Sequence, residues 1–343
     1  MSVRKKKSFF LPQSGSILIY VLWLSALLGL FTLSAGYGVR QRLNMLERLE
    51  IKRTLRLSAE SGIERGLWAI HYPKDPKNPA DSLTDVWSRP GFLFKDVSLG
   101  KTVFSVIKTE TVSDYGLRDE ESRINLNLLK DDEVLKRLLI MTAGISTDQA
   151  AILADSVLDW IDEDSDLHAS GAENLYYRSL KRPLLPKNAA LDVVEELLYV
   201  RDMTPEILKN LQPYITLHGD GKVNLNTASQ TVLEALTGHK TFAEKIISYR
   251  QGPDRLEGTA DDPVFTKLAG LAEAFESLSG LDDEIRQIID QVQTQGIFKI
   301  DSKYFRIQSA ASLKGRAETL SVQAVAGRND GIQFWKEFYT QKA

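Results

Sequence analysis

The chain has 343 residues, which is enough for two domains and a sizeable core, and it contains no cysteine. Disulfides, thiolate metal sites and cysteine nucleophiles are therefore excluded. Charge is unevenly spread: residues 1–65 carry 11 Lys and Arg against 4 Asp and Glu, whereas the remaining residues carry 32 against 42, a net charge of −10. Binding to phosphates through counterion release requires clustered cations, so no nucleic-acid partner is expected for this acidic part.

An uncharged apolar stretch occupies residues 16–35. A helix over twenty residues is about 30 Å long, which is enough to cross the hydrocarbon core of a bilayer. Four cations, at positions 4–7, precede the stretch. Because positive charge favours the cytoplasmic side, the sequence predicts a cytoplasmic N-terminus and places the bulk of the chain on the opposite side of the membrane.

The helical pattern continues beyond the apolar stretch. Apolar residues keep helical spacing from Val39 to Ile70, and the first strong break is Pro73, which disfavours helical geometry at Tyr72. The sequence therefore predicts one uninterrupted helix over residues 16–70, roughly 80 Å long. A secretory signal peptide is disfavoured, because its apolar run spans about 7–15 residues and ends at a cleavage site of small residues. An ordinary single-pass anchor is the alternative.

The junction before the apolar stretch carries a further signal. A short basic leader, then Gly15, then an apolar segment that continues as one long helix is similar to a class III (type IV pilin-like) signal. This resemblance implies that prepilin peptidase cleaves after Gly15 and leaves Ser16 as the new N-terminus. The fifth residue after cleavage is usually Glu in pilins and is Tyr20 here, a departure that fits a subunit with no neighbour above it.

The rest of the chain passes from strand patterns to helical patterns and back. Residues 71–100 are rich in Pro, Asp, Lys and Gly and are predicted to be irregular. An alternating, β-branched run predicts a strand at 101–110, with a partner strand at 121–128. The later patterns predict a helix that begins with Val134, helices at 147–160, 190–199, 205–211, 229–236, 242–250, 265–275 and 282–293, and strands at 297–300, 304–311, 318–326 and 332–339.

Strands begin, helices interrupt them, and strands resume. This order indicates an α+β fold in which a long N-terminal helix and an antiparallel sheet carry a large all-α domain inserted between strands. The predicted divisions are a leader at 1–15, the N-terminal helix at 16–70, the first part of the α+β domain at 71–128, the inserted domain at 129–295 and the second part of the α+β domain at 296–343.

Carboxylates are concentrated after the second helix of the helical region, at Asp159, Asp162, Asp164, Asp166 and Glu173. If Asp162 is position 1, acids stand at positions 1, 3, 5 and 12, which are ligand positions in an EF-hand. The sixth position holds a leucine instead of the usual glycine, so a true EF-hand is not predicted. Acids at a helix C-terminus oppose its dipole, so the pattern favours bound Ca²⁺ over the alternative of a solvated helix end.

A second acidic loop spans residues 252–262. Asp254, Asp261 and Asp262 could supply another oxygen site for Ca²⁺, and this assignment carries less weight. The alternative is turn chemistry alone, for which Gly and Asp are the usual residues.

Residues 223–238 resemble the opening of a helix-hairpin-helix DNA-binding module. The paired-glycine hairpin of such modules is missing, and the surroundings are acidic. A structural helix pair capped by Asn226 and Ser229 is therefore the preferred interpretation, and a membrane-anchored DNA-binding protein is the alternative. A membrane-tethered hydrolase is disfavoured, because no nucleophile elbow or phosphate loop is present and the four histidines share no ligand spacing. The chain is predicted not to be an enzyme.

Five features together resemble the type II secretion system minor pseudopilin K family over essentially the whole chain. They are the Gly15 junction without a glutamate at Tyr20, and the stretches 159–162, 171–177, 186–188 with 195–197, and 223–229. The resemblance implies a pilin-like fold with a large inserted α-domain that binds one or two Ca²⁺ ions. The family's Gly-Ala-Glu-Asp is Gly-Ala-Glu-Asn here, so Asn174 joins the implied ligands as a neutral oxygen donor.

The resemblance also implies a place in the cell and a set of partners. Such a protein sits in the bacterial inner membrane with a single span, its C-terminal bulk in the periplasm. The implied partners are minor pseudopilins I and J, the major pseudopilin, prepilin peptidase and secreted substrate proteins. Its role would be to form the tip of a short pseudopilus and to promote assembly and exoprotein secretion.

Overall fold

The computed structural model describes residues 16–74, 76, 78–89, 91–108, 114–279, 282–315 and 318–341. The chain divides into two compact units, residues 1–55 and residues 56–343. Helix α1 runs from Ser16 to Ile70 without a break, as the spacing predicts. None of its apolar window is buried, and the helix is long and apolar enough to cross a membrane, by length and composition. Gly15 lies outside the described residues.

One antiparallel sheet forms most of the β-structure, with strand order β1-β2-β8-β9-β10 and β3 paired to β8. Alternate residues of β8 are buried, as expected for a strand with one covered face. That face receives the last turns of α1, where a Cβ at Gly66 would lie 2.9 Å from Cδ1 of Ile307. Glycine therefore allows the helix backbone to approach the sheet. The strands of this sheet are β1 (Val97–Leu99), β2 (Thr102–Val106), β3 (Arg118–Asp119), β8 (Tyr304–Leu313), β9 (Glu318–Gly327) and β10 (Gly331–Gln341).

The strand predicted at 121–128 is wrong. This stretch forms two 3₁₀ turns around the two-residue strand β4 (Ile124–Asn125), which pairs in parallel with β5 (Ile215–Thr216) outside the main sheet. The side chain of Asp119 accepts from the backbone N–H of Glu121, and the side chain of Asn125 accepts from that of Asn127. Asp and Asn compete in this way with strand pairing, so local caps replace the ladder.

Two other β predictions need correction. The strand predicted at 101–110 is β2, which ends at Val106, and residues 109 and 110 lie outside the described residues. The strand predicted at 297–300 is shortened to β7 (Phe298–Lys299), which pairs in parallel with β6 (Val223–Asn224) instead of joining the main sheet. The three long C-terminal strands, in contrast, are confirmed to within about two residues of their predicted bounds.

The region between the strands is helical and shares one hydrophobic core. The predicted helix at 190–199 is only a 3₁₀ turn at Val194–Tyr199, and the one predicted at 265–275 begins later, because Leu268–Gly270 is also 3₁₀. The boundaries placed at 129 and 295 stay a prediction. The helices are α2 (Asp132–Ala143), α3 (Thr147–Ile161), α4 (Asn174–Ser179), α5 (Pro205–Leu211), α6 (Gln230–Thr237), α7 (Lys240–Arg250), α8 (Leu271–Ser279) and α9 (Asp283–Gln295).

A candidate metal centre in the helical region

The site starts on α3, a helix fixed at its N-terminus by a capping box between Ser146 and Gln149. Asp155 and Asp159 lie one turn apart on α3, on the same face, and both are buried. Oδ1 of Asp159 accepts hydrogen bonds from the backbone N–H of His168 at 3.1 Å and from its Nδ1 at 2.5 Å. The second oxygen of Asp159, Oδ2, is buried and accepts no hydrogen bond from any described residue.

Oδ1 of Asp155 is also buried without a hydrogen-bond donor among the described residues, and Nζ of Lys136 lies 3.8 Å from it. Three more such oxygens belong to residues that follow α3. They are Oδ1 of Asp162, Oε1 of Glu173 and Oδ1 of Asn188. A buried oxygen that lacks a donor is costly, and more so when it carries charge. Carboxylate and amide oxygens are the donors that a hard cation such as Ca²⁺ prefers. The orphaned oxygens of Asp159, Asp162, Glu173 and Asn188 therefore fit a bound Ca²⁺ ion.

The backbone brings these residues together through close loop contacts. Gly171 lies against Asp159, because a Cβ at this glycine would fall 2.7 Å from Asp159 Cγ. Asn188 reaches the loop from a later segment: its Nδ2 donates to the carbonyl of Asp164, and its backbone N–H donates to the carbonyl of Trp160 at 3.0 Å. Asn188 adopts a φ of 46°, in the left-handed region that Asn tolerates better than most residues.

The electrostatics of the site indicate crowded negative charge. Burial, followed by the charges of Asp164 and Asp159, raises the pKa of Asp162 to about 6. Burial is also the main cause that raises the pKa of Glu173. For His168, burial acts to lower the pKa, but the hydrogen bond to Asp159 and the neighbouring carboxylates outweigh it and raise the pKa overall. A divalent cation would offset the repulsion among these carboxylates and favour their ionised forms.

The structure brings only part of the predicted ligand set together. Candidate ligand atoms of Asp159, Asp162 and His168 lie within 4.8 Å of one another, and Glu173 contributes an orphaned oxygen. Asp164 and Asp166 are exposed, and Oδ1 of Asp164 accepts from the backbone N–H of Asp166 at 2.9 Å. Asn174 begins α4, where its backbone N–H donates to Oε2 of Glu173 at 3.0 Å. The ligand set as a whole stays a prediction.

Sequence reasoning missed Asn188 and His168 as members of this neighbourhood. Asn188 lies 26 residues after Asp162, so no local spacing rule connects the two. His168 has no second histidine at helical spacing, so the sequence pattern does not identify it as a ligand. For His168, the available signal is its position directly after the acidic residues 162–166. For Asn188, it is its position in the short stretch 186–188 that carries the family resemblance.

The second acidic loop has a different character. Ligand atoms of Asp254, Asp261 and Asp262 also lie within 4.8 Å of one another. However, Oδ2 of Asp262 accepts from the backbone N–H of Gly258 at 2.6 Å, and Thr259 Oγ1 donates to both Asp261 and Asp262 at 2.8 Å. These oxygens already have donors within the loop, which favours turn chemistry over a second ion.

The stretch that resembles a helix-hairpin-helix module is used inside the protein. Asn226 forms a pair of hydrogen bonds with the backbone of Phe265, through Nδ2 at 3.0 Å and Oδ1 at 2.8 Å. Asn224 donates to Ser302 Oγ at 2.8 Å, and Ser229 caps α6. The polar side chains of this stretch therefore hold the helical region to neighbouring segments.

The fold and the site define a class: an α+β protein with a long apolar N-terminal helix, an antiparallel sheet and a helical region that carries a buried acidic site. Within this class, residues 122–220 match the family model described as type II secretion system (T2SS), protein K. The resemblance to protein K predicted from the sequence is confirmed.

Three relatives share this resemblance over part of the chain. The chain is 29% identical over 154 residues to type II secretion system protein K of Pectobacterium carotovorum subsp. carotovorum, covering 42% of this chain and 45% of that protein. It is 33% identical over 130 residues to protein K of Aeromonas hydrophila, covering 32% and 39%. The match to a putative protein K of Escherichia coli (strain K12) is 24% identical and covers 62% and 65%. The chain thus matches less than two thirds of each relative's length.

The fold is similar to that in the crystal structure of the GspK-GspI-GspJ complex from the enterotoxigenic Escherichia coli type 2 secretion system. The TM-score is 0.63 at 20% identity, and the match covers 87% of this chain and 100% of that chain. At this identity the likeness establishes the fold, and it agrees with the α+β architecture predicted from the sequence.

Proposed function

We propose that this chain is a minor pseudopilin of a type II secretion system, anchored in the bacterial inner membrane by the apolar part of α1, with its C-terminal bulk in the periplasm. The observation that carries the proposal is the match of residues 122–220 to the protein K family. The uninterrupted helix Ser16–Ile70, whose apolar part is long enough to span a bilayer, supports it. The role is mechanical and not catalytic.

The proposed mechanism follows from the order of the elements. Prepilin peptidase would cut after Gly15, and the apolar part of α1 would then pack against neighbouring helices of a pseudopilus. The helical region adds bulk to the sheet, so further subunits could not add above it. The chain would therefore form the tip of the pseudopilus with minor pseudopilins I and J, promote assembly with the major pseudopilin and contact secreted substrates.

Calcium has a structural part in this proposal. The ion would be held by Asp159, Asp162, Glu173 and Asn188, whose orphaned oxygens fit a hard cation. When bound, it supplies positive charge that offsets the repulsion among these carboxylates. The residues themselves fix the loop after α3: Asn188 ties residues 160 and 164 to the segment that follows α4.

Mass spectrometry of the full chain, extracted from membranes of a host that carries prepilin peptidase, tests the proposal. A mature chain that begins at Ser16, with processing lost in Gly15→Val, is the expected result. Co-purification with tagged minor pseudopilins I and J, compared with the Gly15→Val chain, is the second readout. An intact leader, or cleavage after residue 35, would contradict the proposal. The chain would then be interpreted as an ordinary anchored or secreted protein.

A further inference from the structure

A cavity of about 220 Å³ lies apart from the acidic site. Its apolar walls include Trp87, Leu117, Pro213 and Tyr214, so it lies between the segments that lead into β3 and the turn that follows α5. Pockets for drug-sized ligands usually measure about 300–1,000 Å³. This cavity therefore suits a single side chain or a small organic molecule.

The cavity also carries an excess of positive charge. Three cationic side chains, Lys108, Arg118 and Arg123, line it against the two carboxyl groups of Asp114 and Asp119. Among the described residues, no carboxylate lies within ion-pair distance of Arg118, whose side chain donates to the carbonyl of Pro213. Lys108 donates to Ser88 Oγ at 2.9 Å, and its nearest carboxylate oxygen in a described residue, on Asp114, is 3.7 Å away.

Two neighbouring arginines form ion pairs with the same buried carboxylate. Glu120 pairs with Arg123 and accepts from Arg306 Nε at 2.7 Å. Nε of Arg123 is buried and has no acceptor among the described residues. Burial, followed by the charge of Arg306, lowers the pKa of Arg118, as expected for a cation whose charge is not fully compensated. One more anion would complete this cluster.

We propose that the cavity binds a carboxylate carried on a small aromatic body. The carboxylate would lie against Arg118, whose planar guanidinium suits two-point contact with an oxyanion, and near the Lys108 ammonium. The aromatic body would pack against Trp87 and Tyr214. The same chemistry is offered by a free aromatic acid and by a polypeptide that ends in an aromatic residue.

Ligand-observed ¹⁹F NMR on the full-length chain in detergent micelles tests the proposal with 4-fluorobenzoate as the free acid. The second arm uses acetyl-Gly-Gly-4-fluorophenylalanine, a model of an aromatic C-terminus, and distinguishes the two sources. Each probe is paired with its neutral amide. We expect saturable binding with Kd below about 1 mM for at least one acid and at least about tenfold weaker binding of its amide. The acid with the lower Kd identifies the source.

Variants separate this site from non-specific attraction. Arg118→Met should weaken binding of the acid probe by about tenfold, and Lys108→Met should weaken it by a smaller factor. Lys314→Met, which removes a lysine outside the cavity, should leave the affinity unchanged. Circular dichroism checks that each variant is folded, and Lys108→Met provides the test if Arg118→Met is not. Absence of saturable binding up to about 10 mM, equal affinity for acid and amide, or equal affinity in all folded variants would overturn the proposal.

Discussion

Thr227 Oγ1 donates a 2.5 Å hydrogen bond to Oδ2 of Asp119, which fastens the loop before α6 to strand β3. Ser302 Oγ donates to the same oxygen at 2.6 Å, so one carboxylate joins three segments that are distant in sequence. Asp119 is 3% exposed, and burial raises its pKa to about 7. The contact that joins the sheet to the helical region is therefore sensitive to pH.

The pH dependence of stability follows from this buried acid. Asp119 holds its proton to about pH 7 in the folded chain, against an ordinary pKa of 3.8. The folded state thus binds more protons between these values, and the free energy of unfolding falls as the pH rises from about 4 to about 7. At roughly 1.4 kcal/mol per pKa unit, the contribution of Asp119 is on the order of 4 kcal/mol.

Urea unfolding of the full-length chain in detergent, followed by far-UV circular dichroism from pH 4 to pH 8, measures this slope. Asp119→Asn should remove most of it, because the amide does not titrate and still accepts hydrogen bonds. Asp96→Asn, on an exposed loop, is the matched control and should keep the slope. Parallel slopes for the unchanged chain and Asp119→Asn would show that Asp119 is not responsible.

The neighbouring Glu120 should behave in the opposite way. Burial acts to raise its pKa, but Arg123 and Arg306 overcome this and lower it to about 2. Its contribution to stability is therefore complete above the ordinary value of 4.5 and is lost as the pH falls through about 2.

Replacing Glu120 tests the strength of this cluster. Glu120→Gln leaves Arg123 buried without a charged partner, and we expect a loss of about 3–5 kcal/mol in the free energy of unfolding at pH 7. Glu60→Gln removes a partly exposed i,i+4 pair with Arg56 and should cost under about 1 kcal/mol. Equal losses for the two variants, measured by urea unfolding, would contradict the buried-pair argument.

The sequence predicts elements whose signals are local. Regular apolar spacing and Pro73 define α1, and alternation defines the long strands β8 to β10. The turns between 120 and 128 escape prediction because the side chains of Asp119 and Asn125 cap them and override a strand-like pattern. The same two residues look like ordinary polar positions in an alternating run, and only the fold reveals which backbone groups they satisfy.

The candidate site is predictable only in part for a similar reason. Asp159 and Asp162 are predictable because they cluster at the end of a helix. Glu173 is predictable from its spacing from them. Asn188 enters through a long-range contact, and whether an acid faces inward or outward depends on loop geometry. Asp164 and Asp166 accordingly carry carboxylates that could bind a cation, but both residues are exposed. The backbone N–H of Asp166 donates a hydrogen bond to the side chain of Asp164.

Calcium should stabilise the full-length chain. A ligand that binds only the folded state adds about 2.7 kcal/mol at a concentration one hundred times its Kd, so Ca²⁺ should raise the thermal midpoint and chelation with EGTA should lower it. Asp162→Asn should weaken binding by at least about tenfold, because it removes a charged ligand. Asp254→Asn, in the self-satisfied second loop, should keep the affinity. Isothermal titration calorimetry measures the affinity. A thermal midpoint that neither Ca²⁺ nor EGTA shifts, together with no heat of Ca²⁺ binding, would refute the site.

Gly171→Ala should damage the same site through shape alone. Its added methyl carbon would fall within 2.7 Å of Asp159 Cγ, so the carboxylate must move away from its position beside His168. We expect a loss of about 1–3 kcal/mol in stability, measured by thermal unfolding in EGTA, together with weaker Ca²⁺ binding by calorimetry. A methyl group at Gly91 would meet no atom of a described residue within 4 Å, so Gly91→Ala serves as the control. An unchanged midpoint and affinity in Gly171→Ala would mean that the loop relaxes freely.

Asn188 separates a ligand role from a purely structural one. Asn188→Gly keeps the left-handed backbone without strain but removes both the orphaned oxygen and the donor to the Asp164 carbonyl, so it should lower stability in EGTA and weaken Ca²⁺ binding. Asn188→Asp also loses the donor but keeps an oxygen and adds charge, so it should lower stability in EGTA while retaining or strengthening Ca²⁺ affinity. If both variants lose stability in EGTA and bind Ca²⁺ as the unchanged chain does, Asn188 acts only as a loop tether, because a ligand at this position must respond to the oxygen that it offers.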